Sequence, residues 1–221
     1  MNSSVTASPV HSRSWPARIA WAALIVLGVY YILEAVPAYL TFNEERVGPY
    51  FWPRVNTVFV HAIGGSLALI LGFFQFWPWL RNTHRKVHRV MGRTYLAAIG
   101  VGAISGYMLA FTSSVHVAYA GGLTGLATAW VLTGGMALVS IRNRNIEQHK
   151  QWMVRSYVVT FAFVFFRISS DFIQSRELMA SPDHLIFLSW ACWAFPLMFA
   201  EAVIQWKQAT AKRASRGQVQ H

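Results

Sequence analysis

Acidic residues are scarce. Eight Asp and Glu stand against nineteen Lys and Arg in 221 residues, and charged residues together make up only 12% of the chain. Soluble domains carry about twice that share, which argues against a water-exposed globular surface. Cysteine is nearly absent. Cys192 stands alone, which excludes an internal disulfide, a CxxC redox pair and a cysteine-based zinc site. Long polar loops are lacking too, so any chemistry lies among the apolar segments or at their ends. What is abundant is apolar: 55% of residues are hydrophobic and 15% aromatic. They come in blocks of about 20 residues, enough to cross a bilayer. The composition describes an all-α, polytopic membrane protein.

Six spans are expected, at Ile19–Leu40, Val55–Trp79, Val90–Phe111, Val115–Ile141, Trp152–Phe172 and Leu185–Trp206. The connecting segments are sorted by charge. Arg13 and Arg18 precede the first span. Arg81, Arg85, Lys86 and Arg89 follow the second, and Arg142, Arg144 and Lys150 follow the fourth. Lys207, Lys212, Arg213 and Arg216 follow the sixth. With six spans these segments share one side, and Glu44, Glu45, Glu177 and Asp183 fall on the other. The positive-inside rule then puts both termini in the cytoplasm and the chain in the cytoplasmic (inner) membrane. The net charge of +11 reads as a topology signal, so no nucleic-acid partner is expected. The first apolar run is longer than a signal-peptide core and no A-x-A site closes it, so it reads as a retained anchor. Residues 1–16 are expected to form a flexible cytoplasmic tail, 17–207 the six-helix domain and 208–221 a basic tail.

An internal repeat is visible. The second span opens "VHAIGG" and the fourth "VHVAYAGG". Each ends in an apolar–Arg–Asn triplet, "LRN" or "IRN". Each is followed by a related block at the start of the next span, "HRVMGRTY" (His88 to Tyr95) or "HKQWMVRSY" (His149 to Tyr157). The order of polar markers implies a duplicated two-helix unit, about residues 55–112 and 115–172. The copies share an orientation, so their pseudo-two-fold axis runs along the membrane normal and generates a central four-helix bundle.

That symmetry relates His61 to His116 at the outer ends of spans two and four. It relates His88 to His149 at the inner ends of spans three and five. Facing imidazoles on diagonal helices are a natural axial pair for a haem iron. The two layers would lie roughly 20–25 Å apart at about 1.5 Å rise per residue. Gly64–Gly65 and Gly121–Gly122 leave room for a flat ligand. Arg93 and Arg155 are placed to pair with haem propionates or an anionic donor. Each piece has a plainer reading. His88 and His149 sit at a basic boundary where polar groups belong, and His116 adjoins a short loop. His61, about a turn inside its span, is the strongest single case. His84 and His88 are spaced i,i+4, but the surrounding bases disfavour a bound cation. His11, His184 and His221 read as solvated surface groups.

Other polar residues lie within the spans. Glu34 is deep in the first. Arg167 and Asp171 are spaced i,i+4 in the fifth and could neutralise each other, with Glu34 as a second partner for the arginine. The plainer reading is a packing pair, and the functional one a proton or quinol site. Glu201 is in reach of Arg93 or Arg155. Pro37 and Pro196 are expected to bend their helices. Trp52, Trp77, Trp79, Trp152, Trp190 and Trp206 cluster near span ends, as an interfacial belt does.

The series "VHAIGGSLALILGFFQF…LR…HRVMGRTY…SG" followed by "HKQWMVRSY…FR" resembles the bacterial membrane proteins of domain-of-unknown-function family 2306, over roughly residues 20–205. The resemblance implies a multi-pass topology and no particular reaction. The shared features include His61, Gln75, Arg81, His88, Gly92, Arg93, Tyr95, His149, Trp152, Met153, Arg155, Tyr157 and Arg167. In architecture alone the chain is also similar to the ascorbate-reducible transmembrane di-haem cytochromes b, whose histidines pair between spans two and four and between three and five. The leading expectation is therefore an electron carrier binding b-type haem, served by a quinol or small reductant and surrounded by membrane lipids. The alternatives are a cofactor-free carrier or sensor built on Glu34, Arg167 and Asp171, and a lipid-binding scaffold with a basic inner face.

Overall fold

The computed structural model describes residues 15–34, 36–179 and 181–219. The expected tail with His11 and Arg13, and the terminal His221, lie outside them. The described residues form ten α-helices: α1 (Trp15–Glu34), α2 (Val36–Leu40), α3 (Glu44–Val47), α4 (Val55–Gln75), α5 (Pro78–Thr83), α6 (Arg85–Phe111), α7 (Val117–Arg142), α8 (Ile146–Thr160), α9 (Ala162–Ser175) and α10 (Asp183–Val219). Among the described residues, six stretches are long and apolar enough to cross a membrane: Ile19–Leu40, Trp52–Gln75, Arg85–Phe111, Val117–Arg142, Ile146–Ser175 and Asp183–Arg213.

The helix boundaries follow local chemistry. The second span stops at Gln75, not at Trp79 as the sequence suggests, because Pro78 pushes Trp77 into an extended conformation (φ −80°, ψ 112°). Asn43 and Asn145 cap α3 and α8 by accepting the amides of Arg46 and Gln148. The fifth span divides at Phe161 without a proline. Just before that break, the Thr160 hydroxyl donates to the Ser156 carbonyl at 2.8 Å, a back-bond of the kind that bends helices. Pro196 lies within α10, which runs on through the expected basic tail.

Four spans form the core. Helix α4 packs on α6, α6 on α7 and α7 on α8, and α8 closes against α4 by a narrower contact. The diagonals are therefore α4 with α7 and α6 with α8. Helix α10 packs outside, on α7, α8 and α9, while α1 touches α4 and α9 lightly. Alternation makes α6 and α8 parallel, both starting at the basic end where Arg81–Arg89 and Arg142–Lys150 lie.

Two of the glycines expected to leave room for a flat ligand, Gly64 and Gly122, are used otherwise. A β-carbon on Gly64 would come within 3.0 Å of the Gly102 amide nitrogen and 3.2 Å of the Ala98 carbonyl oxygen. Gly64 is thus where α4 and α6 touch through their backbones. Gly122 is filled on the other side of the bundle by Ser189 of α10.

Candidate functional site

The middle of the bundle is a closed hydroxyl node. The Tyr95 hydroxyl lies 2.8 Å from Ser156 Oγ and 3.0 Å from Thr160 Oγ1. Trp130 donates its indole N–H to the same Thr160 oxygen at 2.8 Å. Tyr95, Ser156 and Trp130 are almost fully buried. The node ties α6, α7 and α8 together where no water is available to satisfy their polar groups. Sequence reading passed over it, although Ser156 and Thr160, one turn apart within an apolar span, were a usable signal.

The node sets the level of the histidines. Tyr95 lies seven residues after His88, and Ser156 seven residues after His149. In parallel helices this brings both histidines to one layer, about 10 Å towards the basic end, on the same faces that meet at the node. His88 is within electrostatic reach of His149 and of Arg81. His149 bonds through Nδ1 to the Ala137 carbonyl of α7 at 2.9 Å. A carbonyl only accepts, so Nδ1 donates and Nε2 of the neutral ring keeps its lone pair. His88 Nδ1 is buried with no partner.

The far-end histidines are engaged separately. His61 bonds through Nδ1 to the Gly102 carbonyl of α6 at 2.9 Å, and its ring lies 5.0 Å from that of Phe163. It lines an apolar cavity of about 40 Å³ with Leu109, Leu123, Ala127 and Trp130, space for little more than a water molecule or two. His116 is exposed and accepts the Ala118 amide at 3.1 Å, which makes it the N-cap of its own helix. Its Nδ1 lone pair is used by the backbone, so the expected far-end pair is not brought together as two free ligands. Among the described residues, no group of three or more His, Cys, Asp or Glu side chains gathers as a metal site.

The arginines also part company. Arg155 is buried, stacks on Trp152 at 4.6 Å and bonds Glu201 of α10 through Nε at 2.7 Å. Gln205 holds the other carboxylate oxygen of Glu201 at 2.7 Å. Arg155 is thereby committed to packing α10 on α8, whereas Arg93 is exposed. Arg167 pairs with Asp171 at 3.3 Å on the surface of α9, both side chains about half exposed. No ion pair or hydrogen bond joins Glu34 to either among the described residues.

His184 corrects the expectation of a solvated surface group. It is 1% exposed, and its Nε2 lies 3.2 Å from the Gln174 amide. It lines an open cleft of about 420 Å³ with Gln174, Glu177, Met179 and Ser181. The available signal was helical phase, since His184, Leu188 and Cys192 repeat at i,i+4 along the buried stripe of α10.

The profile of a family described as predicted membrane protein (DUF2306) matches residues 58–204. The chain belongs to that family. The match spans the four core helices and most of α10, so the node, both basic-end histidines and the Arg155–Glu201 pair all lie within the family's domain. No curated protein and no solved structure matches the chain. What the family description supplies is a membrane protein, and the six spans make it a multi-pass one.

Proposed function

We propose that this membrane protein is an electron carrier with a single b-type haem at the basic end, held between His88 and His149. The observation that carries the reading is the common register. Tyr95 and Ser156 are bonded across the bundle, and each histidine precedes its bonded residue by seven positions. His88 and His149 are the residues that would hold the iron. The bond from His149 Nδ1 to Ala137 orients the ring and leaves Nε2 for a metal, as the outer partner of a ligating histidine does. His88 Nδ1 is buried without a hydrogen-bond partner.

The far-end donor set does not fit. His116 spends its Nδ1 on its own helix, and the cavity beside His61 is far too small for a macrocycle. The reading is therefore of one site, where the sequence suggested two. Bound there, haem would supply one-electron chemistry. The chain's own residues orient the rings, exclude water through the buried node above them, and present exposed bases at the membrane surface. A quinol or small anionic reductant would meet Arg85, Arg89 and Arg93, with the basic end facing the cytoplasm. Arg155 takes no part in this, being paired with Glu201. The carrier reading built on Glu34, Arg167 and Asp171 has less support, because the latter two neutralise each other at a helix surface.

The test is a visible spectrum of protein purified from haem-replete cells. The expected result is a reducible Soret band, lost in His88→Ala and in His149→Ala and kept in His116→Ala. A colourless, folded preparation would overturn the proposal.

A further inference from the structure

Gln75, the last residue of α4, is 7% exposed, and its amide nitrogen has no hydrogen-bond partner. Its side chain lies against Gly92 of α6, where a β-carbon would come within 3.2 Å of Gln75 Oε1. One turn before Gly92, on the same face, is His88 with its own unpartnered Nδ1. Arg81 of α5, the short helix that packs on α6, is within electrostatic reach of that ring. An amide NH2 and a guanidinium are donors only, and an imidazole Nδ1 donates in the tautomer that leaves Nε2 open. Gln75 Nε2 and His88 Nδ1 are thus two buried donors that no protein acceptor satisfies, with a cation in electrostatic reach of the second. Unpaired donors are costly in a membrane interior. His61 and His149 have each solved this with a backbone carbonyl, Gly102 and Ala137 respectively. His88 has not.

We propose that Gln75, His88 and Arg81 form a binding site for an anionic oxygen, of the phosphate type, at the basic end of the bundle. The oxygen accepts from Gln75 Nε2 and His88 Nδ1 while the Arg81 guanidinium balances its charge. Gly92 is part of the site because a side chain there would displace the Gln75 amide. The site needs no iron and stands whether or not the histidines hold any. Its oxygen comes either from the headgroup of an anionic lipid reaching in from the membrane surface or from free phosphate.

Thermal unfolding of the full chain in nanodiscs tests this in two arms. One arm compares phosphatidylcholine discs with discs containing phosphatidylglycerol. The other adds inorganic phosphate to phosphatidylcholine discs. The expected result is a saturable rise in the wild-type midpoint in at least one arm. That rise is abolished in Gln75→Leu and at least halved in Arg81→Gln. A response to phosphatidylglycerol alone assigns the oxygen to a lipid headgroup, and a response to inorganic phosphate assigns it to the soluble ion. Gln75→Leu should also reverse order with the wild type. Without the anion it is at least as stable, having lost an unpaired donor, and with saturating anion it is less stable. Equal responses in wild type and Gln75→Leu, or no response in either arm, would overturn the proposal. Should Gln75→Leu not fold, an undiminished response in Arg81→Gln, altered at an exposed position, overturns it equally. Absorbance taken on the same samples separates this site from the haem reading, since a specific anion response in colourless protein keeps the one and removes the other.

Discussion

Replacing Gly64 by Ala puts one methyl group where α4 and α6 touch. The new carbon would lie 3.0 Å from the Gly102 nitrogen, and 3.2 Å from both Gly102 Cα and the Ala98 oxygen. All three are backbone atoms and cannot rotate aside, so the two helices must separate by a few tenths of an ångström. Overpacking of this kind costs about 1–3 kcal/mol. The gain in helix propensity from Gly to Ala returns about 0.5–1 kcal/mol. The net expectation is a loss of about 0–2.5 kcal/mol, the difference of those two terms. The adjacent glycine is the control. A β-carbon on Gly65 meets nothing within 4 Å, so Gly65→Ala keeps only the propensity term and is neutral or slightly stabilising. Reversible unfolding in mixed micelles, with denaturing detergent as the titrant, measures both. The same spreading stretches the bond from His61 to Gly102, one turn away on α4. Gly64→Ala as stable as Gly65→Ala would refute the backbone contact and, with it, the placement of His61.

The hydroxyl node predicts a coupling. Tyr95→Phe leaves Ser156 Oγ without its partner, and a double-mutant cycle with Ser156→Ala should give a coupling of about 0.5–1.7 kcal/mol, the range for hydrogen bonds between membrane helices; additive losses would contradict the bond. Glu201→Gln strips the counter-charge from a buried Arg155, and the partly exposed carboxylate keeps the expected loss to about 1–2 kcal/mol, below that of a fully buried pair. Arg155→Met combined with Glu201→Gln should recover part of it in the same unfolding assay, and no recovery would argue against the pairing. His116→Ala removes an N-cap and should cost about 0.5–1.5 kcal/mol while leaving any haem spectrum intact, and loss of the spectrum there would restore the far-end pair.

The spans were legible because the signals that define them are local. An apolar window and a basic loop can each be read without knowing what the helix packs against, and Trp77 and Pro78 mark a boundary that only shifted by a few residues. What each polar group does was less legible, because it depends on helical phase and on a distant partner. Gly64 and Gly65 are identical in sequence terms, and rotation of about 100° separates a helix contact from open space. His184 follows Ser-Pro-Asp and reads as a loop residue, yet it faces the seam between α9 and α10. Arg155 had two acidic or surface fates open to it, and Glu201 took it because α10 packs on α8.

The two "H…Y" blocks show the same limit most sharply. Matched by residue type, Tyr95 pairs with Tyr157, and the repeat looks complete. The second block, however, has one more residue between its histidine and its tyrosine. In a helix that residue turns Tyr157 by about 100°. Tyr157 accordingly leaves the bundle axis and donates to the Leu69 carbonyl of α4 at 3.1 Å, with its ring against Gly72. Ser156 takes the axial position and bonds Tyr95. The arginines diverge for the same reason, Arg93 outward and Arg155 against α10. The histidines share a level, because each stands seven residues before its bonded residue and the extra residue comes after His149. If the blocks descend from one ancestor, the position shared in space is seven residues beyond each histidine, whatever stands there. Deleting Met153 should therefore bring Tyr157 onto the axis opposite Tyr95, where two phenols compete for the space of one. The deletion is expected to be far more destabilising than Tyr157→Phe, which loses only the bond to Leu69. Equal stability of the two variants would show that the blocks tolerate either register, and that the level of His149 is set by something other than the node.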